Sequence, residues 1–304
     1  MSDRSLEALG FTDVPLDQPL TYPGRPVSGP ALLHGGELWV LTARRGPLGG
    51  WPVAGPYGHG AGGGYGHGGG GVEGHGGGRA EGPRGGGEPL DAVLTRLGAA
   101  VMAARHPVIA VGSNASPAQL RRKFTRRGVG MTLPMARVTV RGIGIGVSAH
   151  IGAAGYVAAA PYADPLARTE VVVSWFDDEQ LRVVDATEHP NYRRLLLPGA
   201  DFPMALPSAE PLTAAYVYAG VHGVLTGPDG TPRRGGGDQS ELLVALLAAS
   251  GRLRELLGPD PQTWVARARA DAAVRAAGRA IFREEGWALP QEAFAALGRR
   301  LSGR

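Results

Sequence analysis

Residues 46–90 hold 22 of the 50 glycines in this 304-residue chain. A stretch like that buries too little apolar surface to offset its ordering entropy, so it cannot build a core. It divides the chain into an N-terminal extension (1–45), a disordered Gly/His-rich insert (46–89) and a main domain (90–304). Three histidines in the insert, His59, His67 and His75, fall eight apart. That spacing could gather a divalent metal weakly. A low-complexity linker with incidental histidines is the simpler account, and no metal is assigned. Deleting residues 55–87 is expected to leave the fold and any activity intact.

The remaining composition removes several function classes. With no Cys, there is no disulfide framework, thiolate nucleophile or Cys-ligated metal. No run of 18 apolar residues exists, so no transmembrane helix and no membrane partner is expected. The first ten residues, MSDRSLEALG, lack the basic start and apolar stretch of a secretory signal. A soluble, cytoplasmic protein is the expectation. The net charge of +4 is carried almost wholly by Arg, since Lys123 is the one lysine. That surplus alone is no nucleic-acid footprint.

Within the extension, residues 37–42 read as a short strand entered from the Gly35-Gly36 turn. Residues 90–106 carry a helical period that ends before Pro107. Residues 108–111 form a short buried strand, followed by Gly112-Ser113-Asn114. Ser116 is a good N-cap, Pro117 suits the first helical position, and Gln119 completes a capping box. This helix is expected to stop at Gly128. Strands follow at 137–140, 147–150, 155–158 and 171–176, with Asp164 in a loop over 161–165. A short helix spans about 179–188. Further strands fall at 192–197 and 215–218, and helices at 240–257, 261–285 and 290–301. Strands and helices mix without regular βαβ alternation, which argues against Rossmann and TIM folds.

Two features carry chemistry. In the first, a strand leads through Gly112-Ser113-Asn114 into a capped helix. Glycine permits a sharp turn and close approach, and the loop N–H groups can meet a carboxylate or a developing oxyanion. Many ordinary strand-to-helix turns share this pattern. In the second, Leu181, Val184, Asp185 and Glu188 share one helix face, and the two apolar residues make it the buried one. Glu188 is thereby carried toward the interior as a candidate general base or acid. Equally, it could cap the helix or pair with Arg193 or Arg194. His150 and His222 read as hydrogen-bonded structural histidines. The basic run Arg121, Arg122, Lys123, Arg126 and Arg127 reads as a solvated helix face.

Taken together, Val111-Gly112-Ser113-Asn114 and the later Val184-Asp185-Ala186-Thr187-Glu188 with Tyr192 resemble the gamma-glutamylcyclotransferase-like superfamily. Members carry a [YV]GSN loop after the first strand and an apolar-Asp-x-x-Glu motif followed by Tyr. The resemblance covers residues 107–220. It departs at Val111, where Tyr is usual, and at Ala115, where a larger aliphatic residue is usual.

The resemblance implies an α+β fold: a small mixed β-barrel with flanking helices, here with extra C-terminal helices. It also implies a transferase or lyase that cleaves a gamma-glutamyl amide through attack by its own α-amine, releasing 5-oxoproline. Glu188 corresponds to the catalytic glutamate. Val111, Gly112, Ser113, Asn114, Ala115 and Tyr192 fall at substrate-binding positions. The partner is a small molecule bearing a gamma-glutamyl-like group, and no cofactor is implied. An alternative on the same fold is a non-catalytic protein that binds a small carboxylate or amide. A third reading, an anionic-polymer binder using the Arg121–Arg127 run and the Arg-rich C-terminus, ranks last because the cluster holds a single aromatic, Phe124, where single-strand binders interleave several.

Overall fold

The computed structural model describes residues 3–54 and 87–302, with side chains up to residue 298. The extension supplies β1 (Ala31–His34) and β2 (Glu37–Val40). They are joined by Gly35 and Gly36, whose φ values of 57° and 96° suit a tight hairpin turn. The other edge of β1 pairs with the strand beginning at Thr132, so the extension is part of the main sheet.

Next come β3 (Pro52–Val53) and β4 (Glu88–Pro89), which pair with each other. Leu48, Trp51 and Val53 are buried beside them. Both ends of the expected insert are therefore structured, while residues 55–86 lie outside the described residues. A Cβ on Gly87 would sit 2.4 Å from the Val53 carbonyl oxygen, so the two ends already meet. Replacing 55–86 by Asn-Gly is expected to raise stability by about 1–2 kcal/mol, because closing a shorter loop costs less entropy. Urea unfolding would check this; failure to fold would show that the segment contributes to the core.

Helix α1 (Leu90–Arg96) is shorter than the 90–106 helix expected. Gly98, with φ of 66°, takes the left-handed conformation just past its end. His106 and Pro107 open strand β5 (His106–Ala110) instead of ending a helix. Helix α2 (Pro117–Arg127) forms as its caps indicate: the Ser116 hydroxyl accepts from the Gln119 N–H, and Gly128 ends it at φ 66°. The capping box is incomplete, because the Gln119 side chain accepts from the Leu16 N–H of the extension.

The short strands expected between 137 and 176 are two 20-residue strands, β6 (Thr132–Ile151) and β7 (Val157–Phe176). Asp164 lies within β7, not in a loop. Gly142, with φ of 87°, marks one place where the ladder changes register, between Arg141 and Ile143; a second change, between Val147 and Ile151, involves no glycine. Helix α3 (Asp178–Glu188) starts from an Asp177–Gln180 capping box. Then follow β8 (Tyr192–Pro198), β9 (Met204–Ala205), β10 (Pro211–Leu212), β11 (Ala214–Gly220) and β12 (Val224–Leu225).

The C-terminal region holds α4 (Gln239–Ala249), α5 (Gly251–Leu257), α6 (Pro261–Ala270), α7 (Ala272–Glu284), β13 (Ala288–Leu289) and α8 (Glu292–Ser302). The two long helices expected over 240–257 and 261–285 are each broken. Ser250 and Asp271 turn extended and cap the following helix with their side chains, which competes with continuation. No helix among the described residues is long and apolar enough to cross a membrane.

The sheet order is β10-β9-β6-β7-β5-β11-β8, antiparallel throughout except for the parallel β11–β5 pair. The molecule is α+β, but the barrel implied by the resemblance does not close among the described residues. The physical reason lies along the outer edge of β6. That edge is covered in succession by β1, β9 and β12, which leaves no free length for β8. Alternate residues of β7 feed two cores: Val171, Val173 and Trp175 join Trp51 and Leu94 on one face, while Val172 and Phe176 join Leu120 and Phe124 on the other. A third core forms where the C-terminal helices pack on Val147, Ala149 and Ile151 of β6.

Candidate functional site

Helix α3 ends where its sequence face predicts. Leu181 and Val184 are buried, and Glu188 is carried inward at the last turn. There it meets the loop after β5. Asn114 Nδ2 donates to Glu188 Oε1 at 3.0 Å across 74 residues of chain. The 113–115 segment forms one 3-10 turn, in which the N–H groups of Ala115 and Ser116 bond back to the carbonyls of Gly112 and Ser113. The N–H groups of Gly112 and Asn114 are not consumed by this turn.

Lys123 completes the cluster. Its ammonium donates to Asn114 Oδ1 at 2.7 Å, to Thr187 Oγ1 at 3.0 Å and to Glu188 Oε1 at 3.0 Å. All three of its donor positions are thus occupied. Both ends of the Asn114 amide are used, one by Lys123 and one by Glu188, which fixes the loop against α2 and α3. Glu188 Oε2 carries no hydrogen bond from the described residues. The pairing with Arg193 or Arg194 considered for Glu188 does not form. Arg194 bonds Asp185 at 3.2 Å, and the Tyr218 hydroxyl donates to the same Asp185 oxygen at 2.7 Å.

These groups line a cavity of about 280 Å³ with Val111, Gly112, Ser113, Tyr22, Tyr156, Tyr192 and His150. Its size suits a small molecule. Ala115 turns away and packs with the apolar cluster of Leu120 and Phe124. Two tyrosines hold the Ala159 backbone at the cavity wall. The Ala159 N–H donates to Tyr22 Oη at 2.7 Å, and Tyr192 Oη donates to the Ala159 carbonyl at 2.8 Å.

The Tyr22 ring stacks on Tyr156 with centroids 4.3 Å apart. Burial, reinforced by the Glu188 charge, pushes the Tyr156 phenol up to about 12, against a smaller opposing hydrogen bond from Ser113. Burial likewise raises Tyr22 and Tyr192. All three phenols therefore remain protonated at neutral pH and can donate. Among the described residues no cluster of three or more His, Asp or Glu is placed to hold a metal ion.

Gly112 is required for a close approach, but the approaching group is a tyrosine. A Cβ there would sit 2.2 Å from Tyr22 Oη. Gly112→Ala is expected to cost about 1–3 kcal/mol through overpacking. Combining it with Tyr22→Phe, which removes the clashing oxygen, should recover part of that loss in urea unfolding. Equal instability in the double variant would place the clash elsewhere.

Sequence reasoning missed three contributors. Lys123 was read with a solvated basic run, but it lies on the buried stripe with Leu120 and Phe124, at i, i+3 and i+4. That spacing, and its being the one lysine in an arginine-rich chain, was the available signal. The arginines around it do face outward, and Arg121, Arg122 and Arg126 pair with Glu7 and Asp17 of the extension. Tyr22 comes from a Pro/Gly-rich stretch with no periodicity. Tyr156 follows a turn glycine and carried no signal of its own.

No family model matches the chain, and no curated protein matches it. Two solution structures from Arabidopsis thaliana are similar over part of it. At3g28950.1 has 17% identity and a TM-score of 0.31, covering 48% of this chain and 76% of that one. At5g39720.1 has 15% identity and a TM-score of 0.33, covering 51% of this chain and 89% of that one. Likeness of that degree assigns neither a family nor a function.

Proposed function

We propose that this cavity cleaves gamma-glutamyl amides by attack of the substrate's own α-amine, releasing 5-oxoproline and a free amine. The observation that carries the reading is the meeting of Glu188 with the Gly112-Ser113-Asn114 loop in one small cavity. Glu188 takes a proton from the α-ammonium, freeing the nitrogen lone pair. That nitrogen bonds to the side-chain carbonyl carbon, and the carbonyl oxygen becomes an oxyanion. The N–H groups of Gly112 and Asn114 and the protonated Tyr156 phenol are the candidate donors to it. Collapse breaks the carbon–nitrogen amide bond as the departing nitrogen takes the proton from Glu188, and the ring nitrogen passes its second proton through Glu188 to the released amine, which leaves as an ammonium. Attack within one molecule needs mainly positioning, which a small, tyrosine-walled cavity supplies.

A second reading has its own observation. Lys123 and Asn114 both satisfy Glu188 Oε1, an arrangement that also suits a non-catalytic protein holding a small carboxylate or amide. One assay separates the two: 5-oxoproline release from gamma-glutamyl dipeptides, glutathione and gamma-glutamyl amines. Release from at least one of them is expected. A folded protein that releases none, yet binds one by calorimetry, would be a binding protein.

A further inference from the structure

A second polar group reaches the cavity with one nitrogen left over. Ser148 and His150 lie two apart on β6, on the same face, and both are buried. Ser148 Oγ and His150 Nδ1 are 2.6 Å apart. The direction of that bond sets the His150 tautomer: with Ser148 Oγ as the acceptor, the imidazole proton sits on Nδ1 and Nε2 carries a lone pair.

The ring is held by its neighbours. It packs edge-on against Tyr192 with centroids 5.5 Å apart, and tilted against His222 at 5.0 Å. Among the described residues nothing hydrogen-bonds Nε2, although His150 is 3% exposed and lines the cavity. A purely structural buried histidine satisfies both nitrogens inside the fold. Burial, helped by the nearby His222 and Arg279, holds this imidazole down to about 3, so it stays neutral at any working pH.

We propose that His150 donates its Nδ1 proton to Ser148 and is a ligand-binding residue whose Nε2 accepts a hydrogen bond from an N–H group of the bound small molecule. Resting on the gamma-glutamyl reading above, that group is the N–H of the scissile amide. Glu188 and Asn114 take the amino-acid head of the ligand, and His150 lines the wall beyond Tyr192. The site therefore discriminates secondary from tertiary amides: an N-methylated amide has no proton to offer.

Two measurements on the full chain test this. In protein labelled with 15N-histidine, long-range 1H–15N spectra are expected to show His150 protonated on Nδ1. Its Nε2 resonance should move when gamma-glutamylalanine is added to the Glu188→Gln protein, and stay put with gamma-glutamyl-N-methylalanine. In kinetics, His150→Leu should lower kcat/KM for gamma-glutamylalanine about 10- to 100-fold and leave the N-methylated substrate unaffected. His150→Gln, which keeps an acceptor near the Nε2 position, should recover part of the loss. Protonation on Nε2, an unmoved resonance, or equal losses on both substrates would overturn the proposal. A moving resonance without turnover of any amide would overturn the cyclisation and leave the His150 contact standing. Turnover with an unmoved resonance would do the reverse.

Discussion

Glu188→Gln is expected to lower kcat/KM for 5-oxoproline release by about 10²- to 10⁴-fold, the usual worth of a positioned general base. The substitution changes little else. The glutamine oxygen can still accept from Lys123 and Asn114, which now meet at Glu188 Oε1. The amide cannot take a proton from the α-ammonium, so attack waits for the small fraction of free amine. The loss should fall on kcat, with KM changing little, because the groups that hold the substrate remain. Release that survives in a folded Glu188→Gln protein would remove Glu188 from the chemistry. Far-ultraviolet circular dichroism and urea unfolding of the variant exclude misfolding as the cause.

The second large effect concerns stability. The side chains of Lys123 and Glu188 are 6% and 15% exposed, so their ion pair sits largely out of water. Lys123→Met leaves the Glu188 carboxylate without its counter-charge, and leaves Asn114 Oδ1 and Thr187 Oγ1 without their donor. Breaking such a pair from one side costs about 3–5 kcal/mol, because the remaining charge stays buried. Adding Glu188→Gln to Lys123→Met removes that stranded charge. The double variant is therefore expected to be more stable than Lys123→Met alone, with a coupling energy of about 1–3 kcal/mol from urea unfolding. A Lys123→Met cost within about 0.5 kcal/mol, typical of an exposed position, would show that the pair does not hold the site. Lys123→Arg should not substitute fully. A planar guanidinium directs its donors in one plane, whereas these three acceptors surround an ammonium.

The legible parts of this protein are the ones written in short windows. The Ser116 cap and Gly128 stop define α2, and the Leu181–Val184 face of α3 aims Glu188 inward. The apolar run 171–176 is visible for the same reason. Caps, turn glycines and periodicities act within one or two turns of chain, so the residues concerned are next to each other in sequence. The glycine-rich stretch also marked the interruption, although its ends at Trp51 and Gly87 proved to be built into the structure.

The rest depended on packing between distant segments. The expected strands 137–140 and 147–150 are one strand because a glycine such as Gly142 serves a bulge inside a long strand as readily as a turn between short ones. Whether the sheet closes is set by which strands reach the outer edge of β6, a matter of tertiary pairing. The cavity itself joins Tyr22 to Ala159 across 137 residues, Lys123 to Glu188 across 65, and His150 to Tyr192 across two strands. No local propensity encodes such meetings. By itself the sequence determined the helix that aims Glu188 and the loop that carries Asn114. Only the tertiary structure decided that Lys123 points inward, that the N-terminal extension supplies a cavity wall, and that His150 keeps a free nitrogen there. Side-chain burial and hydrogen-bond partnership are properties of the packed interior, where each buried polar group must find a partner that the chain brings from far away.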